Sequence, residues 1–164
     1  MDKEKMIVRA RELRRADELE VSQELLLELL DAFPDDPLVL YEVGGSYDVL
    51  GEEKQAIPYY QKALDAGLAG VDRQECLVCL GTDLRLTGRF ARAVEVLETA
   101  VSEYPHNNSG KVFLALAYYS YGREDEAVSL LLDLLLQTTK DENILAYADT
   151  LDYYKDNLDE VVMD

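Results

Sequence analysis

Apolar residues recur along this chain at steps of three and four, and no stretch alternates apolar and polar positions as a half-buried strand would. Such spacing puts the apolar side chains on one face of an α-helix. The pattern predicts helices over about 3–16, 19–32, 37–50, 53–66, 72–87, 90–103, 108–121 and 124–138, joined two by two through short turns. Gly51, Gly88 and Gly122 each fall at the end of the first helix of a pair, where a left-handed residue closes the last turn. A ninth helix is expected over about 141–155, burying Ile144, Leu145, Ala148 and Leu151, before an acidic tail at 156–164. Pro58 lies near the N-terminal turn of its helix, so a mild distortion is expected there and not a break.

The helices also repeat as a group. Leu40-x2-Val43-Gly44-x2-Tyr47 is followed by Ala56-x3-Tyr60. Leu77-x2-Leu80-Gly81-x2-Leu84 is followed by Ala93-x3-Leu97 and Pro105. Lys111-x2-Leu114-Ala115-x2-Tyr118 is followed by Ala127-x3-Leu131. Gly81 to Ala115 spans 34 residues and Gly44 to Gly81 spans 37, while Ala10, 34 residues before Gly44, opens a weaker first copy with Leu13, Ser22, Leu26 and Pro34 in the matching slots. Small residues, Gly44, Gly81 and Ala115 on the first helix and Ala56, Ala93 and Ala127 on the second, suit a close approach of the two helices. Tyr47, Leu84 and Tyr118 fill the space one turn away.

These motifs resemble the tetratricopeptide repeat, W-x2-L-G-x2-Y…A-x3-F…P at a period of about 34 residues. The resemblance covers roughly residues 3–141, with Tyr or Leu in the aromatic slots and no Trp. It implies an all-α fold: a tetratricopeptide-repeat α-solenoid of about four helix pairs, with repeats at about 3–36, 37–70, 74–107 and 108–141. A capping helix at 141–155 is expected to complete a single domain over 1–155. A narrower likeness rests on Gly67-Leu68-Ala69-Gly70-Val71-Asp72-Arg73, Leu80-Gly81, Thr87-Gly88-Arg89, residues 112–116, Tyr153 and residues 156–159. These resemble a group of small, functionally uncharacterised bacterial tetratricopeptide proteins, which implies a homodimer but no reaction.

Composition narrows the partners. The chain has 164 residues, 48% of them apolar, enough for a sizeable core in one domain. A net charge of −18 repels phosphate backbones and anionic lipid, so neither nucleic acid nor a membrane is an expected partner. No apolar run approaches the ~20 residues of a membrane span. The charged start, Met1-Asp2-Lys3-Glu4-Lys5, is unlike a signal peptide, so a cytoplasmic protein is expected. Residues 1–15 nevertheless carry a net +3, whereas no Lys or Arg occurs from Ala16 to Glu53.

Candidate chemistry is sparse. Cys76-x2-Cys79 is half a zinc site, but His106 is the only histidine and there is no second cysteine pair, so the thiols are expected to pack in a helix and no metal or cofactor is expected. His106 falls in the turn Tyr104-Pro105-His106-Asn107. Glu124, Asp125 and Glu126 open a helix, where negative charge suits the dipole. No phosphate loop or nucleophile elbow is present, so no catalytic residue is assigned.

Three surfaces remain as binding candidates. Leu38, Tyr41, Val78, Leu86, Val112, Leu116 and Tyr119 fall on or near the side of the first helices that lines the inner groove of such arrays. Arg11, Arg14 and Arg15 share one side of the first helix, either paired with the acids that follow or facing an acidic partner. On the second helix of the fourth pair, Ala127, Val128, Leu131, Leu134 and Leu135 take the core slots. Leu132 and Leu136 are left over as a candidate dimer contact. The carboxylate clamp of chaperone-binding relatives is absent, because its slots hold Ile7, Arg11, Glu42, Glu75 and Cys79. The reading is a scaffold or adaptor that binds a protein or peptide in its groove, with homodimerisation as the alternative and an enzyme a distant third.

Overall fold

The computed structural model describes residues 2–164; Met1, the first residue of the charged N-terminal stretch, lies outside the described residues. These residues form ten helices and no strand. They are α1 (Lys3–Arg15), α2 (Leu19–Ala32), α3 (Pro37–Val49), α4 (Glu53–Asp65), α5 (Gly70–Leu86), α6 (Phe90–Glu103), α7 (Asn108–Ser120), α8 (Glu124–Thr138), α9 (Glu142–Leu145) and α10 (Ala148–Lys155). The first eight match the helices expected from the apolar period. Side-chain caps fix several starts: Asp36 accepts from the Leu38 and Val39 amides, and Asn107 accepts from Ser109. Gly51, Gly88 and Gly122 do adopt positive φ, and in the degenerate first pair the same slot is filled by Asp17 at φ 63°. Helix α4 continues through Pro58.

The chain divides into two compact units, Met1–Gly88 and Arg89–Asp164. In the first, α1 packs on α2, α2 on α3, α3 on α4 and α4 on α5. Its core gathers Ile7, Ala10, Leu26, Leu29, Val39 and Val43. Gly44 permits the tightest approach: a Cβ there would lie 2.7 Å from Cδ1 of Tyr60, whose ring is buried and whose hydroxyl donates to Asp48 at 2.7 Å.

In the second unit, α6 packs on α7, α7 on α8, and α10 on α8. The expected ninth helix is corrected here. It breaks into the single turn α9 and the short α10, and neither buries a residue fully. Short helices depend on tertiary packing for stability. This segment offers little apolar face, and Leu145, expected inside, is exposed.

Candidate functional site

The first unit consumes several of the expected contact residues internally. Leu38 is half-buried against the α1–α3 core, and Val78 is buried. Tyr41 is half-buried, its ring 6.0 Å from that of Tyr60, and burial raises its pKa. Leu86 is exposed at the end of α5.

The arginines of α1 take the internal option. Glu42 on α3 is only 2% exposed, and both Arg11 and Arg14 reach it. Arg11 Nε donates to Oε1 at 2.6 Å, and Arg14 donates to Oε2 and to the Glu42 carbonyl at 3.3 Å each. Asp72 stands 3.5 Å from Arg11. The charge of Arg11 and Arg14 is therefore matched within the chain, while Arg15 is exposed. A buried carboxylate needs such partners, because an unpaired charge in the interior is prohibitively costly.

A second polar cluster was not foreseen from sequence. Asp83 on α5 is buried, with Asp48, Tyr60, Glu53 and Cys79 nearby. Burial first, then the neighbouring Asp48 and the charges of Asp48 and Glu53, push its carboxyl up to about 8. The signal lay in the repeat register: the slot that holds Ser46 in the second repeat and Ala117 in the fourth holds Asp83 in the third. Cys76 and Cys79 are free cysteines, pushed up to about 12 chiefly by burial, which makes them poor nucleophiles at neutral pH. Among the described residues no cluster of metal-ligating side chains forms, and no helix is long and apolar enough to cross a membrane. His106 is exposed in its turn.

The second unit presents the apolar surface. Val112, Leu116 and Tyr119 sit on α7 at i, i+4 and i+7, so they share one face, and all three are exposed. On α8 the expected assignment is met only in part: Ala127 and Leu134 are buried as expected. Leu132 and Leu136 are half-buried, whereas Val128, Leu131 and Leu135, expected in the core, are exposed at 46%, 41% and 39%. Repeat register assumes that another helix follows, and α9 and α10 do not supply one on that side. Helix α10 meets the opposite side of α8, where Lys155 lies 3.7 Å from Asp133.

A model of the family described as tetratrico peptide repeat matches residues 37–156. No curated protein matches the chain. Among solved structures, YrrB, a TPR protein with an unusual peptide-binding site, is 23% identical, with 96% of this chain and 80% of that one covered at a TM-score of 0.75. MamA is 17% identical, with 99% and 80% covered at 0.72. A MamA RS-1 ArsTM double mutant is 20% identical, with 98% of each chain covered at 0.70. Identity at this level shows a shared fold alone.

Proposed function

Because the chain belongs to the tetratricopeptide repeat family, we propose that it is an adaptor that binds a partner protein or peptide through the exposed face of α7. The fold itself supports a protein-interaction scaffold in general. The specific observation is the apolar triplet Val112, Leu116 and Tyr119, exposed along a first helix of a pair, the class of helix that the sequence pattern assigns to the groove. The peptide-binding site ascribed to YrrB supports a peptide as one form of the ligand. A chain carrying −18 favours a partner segment with basic residues beside its apolar ones. Two free thiols, Cys76 buried and Cys79 half-buried, fit the reducing setting of the cytoplasm.

The test pairs binding with stability. Leu116→Asp and Tyr119→Ala are expected to abolish capture of the partner while leaving the thermal midpoint near that of the parent, since both side chains are exposed. Loss of stability in step with loss of capture would assign the triplet a structural role.

A further inference from the structure

The open stripe on α8 has three internal precedents. Leu131 occupies the slot held by Leu26 on α2, Tyr60 on α4 and Leu97 on α6. Those three are 0%, 1% and 0% exposed, against 41% for Leu131. Val128 likewise corresponds to Gln23, Ile57 and Val94, and Leu135 to Leu30, Leu64 and Val101, none of which is exposed. In each earlier case the next first helix covers the stripe: α3 lies on α2, α5 on α4, and α7 on α6. Side-chain contacts confirm which faces meet. Gln23 donates to Ser46 at 3.2 Å, and the Cys76 thiol donates to the Tyr60 carbonyl at 3.6 Å.

The covering helices share one chemistry. At i, i+4 and i+7 they carry Val39, Val43 and Ser46, then Cys76, Leu80 and Asp83, then Gly110, Leu114 and Ala117, all buried. Small or apolar side chains there let a helix settle between the larger residues of the stripe, as ridge into groove. The one ionisable member, Asp83, is short and buried.

The geometry points to a second docking surface: Val128, Leu131 and Leu135 receive an α-helix of a partner protein that carries small or apolar residues at i, i+4 and i+7. The chain's own first helix cannot serve in a head-to-tail stack. In the same register α1 holds Lys5, Arg9 and Glu12, all exposed, and the stripe offers them no polar partner, so covering it would strip their water without return. Two-fold pairing of α8 with another α8 sets large residues against large ones, unlike any of the three precedents. This surface is distinct from the α7 triplet, and neither reading depends on the other.

The probe is a helix-stapled, fluorescein-labelled peptide of residues 107–121, the sequence that covers this stripe on α6, titrated with the full chain by fluorescence anisotropy. Saturable binding is expected, weakened at least about tenfold by Leu131→Asp and by Val128→Asp and unchanged by Tyr119→Ala. A peptide carrying Leu114→Asp is expected not to bind. Absence of saturable binding, or binding indifferent to both α8 changes, overturns the proposal. So does a parent dimer in sedimentation that Leu131→Asp dissolves, because the stripe then belongs to a second copy. Unfolding of both α8 variants, read by circular dichroism, would make the stripe structural and overturn it equally.

Discussion

In residues 2–88, charged and polar side chains lie between helices: Glu42 beneath two arginines, Asp83 against Asp48, Ser22 donating to the Ala10 carbonyl at 2.7 Å, and Ser46 bonded to Gln23. In Arg89–Asp164 no described ionisable or hydroxyl side chain is fully buried, and most of the exposed large apolar side chains of the molecule are found there. Buried polar contacts demand partners at fixed positions, so they hold one helix register against its neighbour. Exposed apolar stripes demand a partner from elsewhere. One repeat pattern thus yields a first unit rich in internal polar contacts and a second whose apolar stripes are left open.

The sharpest way to break the first half of this contrast is to remove Glu42. Glu42→Ala leaves Arg14 without its carboxylate partner and Arg11 with Asp72 alone, and a loss of about 3–5 kcal/mol in denaturant unfolding is expected. A change below ~1 kcal/mol would place these charges outside the energetics of the interior.

Asp83 should show its burial through pH. Its folded pKa is raised, so above about 4 the unfolded chain gives up this proton while the folded chain keeps it. Its contribution to stability therefore falls as pH rises from about 4 to about 8 and then levels off. Asp83→Asn keeps the shape of the side chain and removes its titration. Its advantage over the parent is expected to grow with pH above 4, by at most about 1.4 kcal/mol per pH unit, to several kcal/mol by pH 8. Equal stabilities at both ends of that range would contradict a neutral, buried Asp83.

Gly44→Ala tests steric closeness instead of charge. With Tyr60 fixed by Asp48 and by its burial, the added methyl is expected to cost about 1–3 kcal/mol by thermal unfolding. The smallest effect is at Asp17, which occupies the left-handed slot that glycine fills elsewhere. Asp17→Gly is expected to raise stability by up to about 1 kcal/mol, and a loss would show that the Asp side chain does more in that turn than tolerate its φ.

The fold was legible in the sequence because each helix pair announces itself twice, through the apolar period and through small residues at constant spacing. What followed Thr138 was less so. Ile144, Leu145, Ala148 and Leu151 keep helical spacing, but spacing alone says nothing of whether a neighbour covers them. The same gap explains why the α8 assignment is met only in part. A register read from internal repeats places Leu131 in the core because Leu26, Tyr60 and Leu97 are there, and only the three-dimensional arrangement shows that no helix follows on that side. Spacing is equally silent on Leu38, which is half-buried against the α1–α3 core, and on Val78, which is buried. Val112, Leu116 and Tyr119 are exposed together because their three positions share one face of α7.

The claim that α7 is a partner-binding face can be tested in the native host by placing a photo-crosslinking amino acid at position 116 and irradiating intact cells. The account predicts a discrete covalent adduct with another polypeptide, which disappears when the same crosslinker is moved to Lys62, an exposed residue of α4. An adduct formed only with a second copy of this chain, or none above the level seen at Lys62, would contradict it.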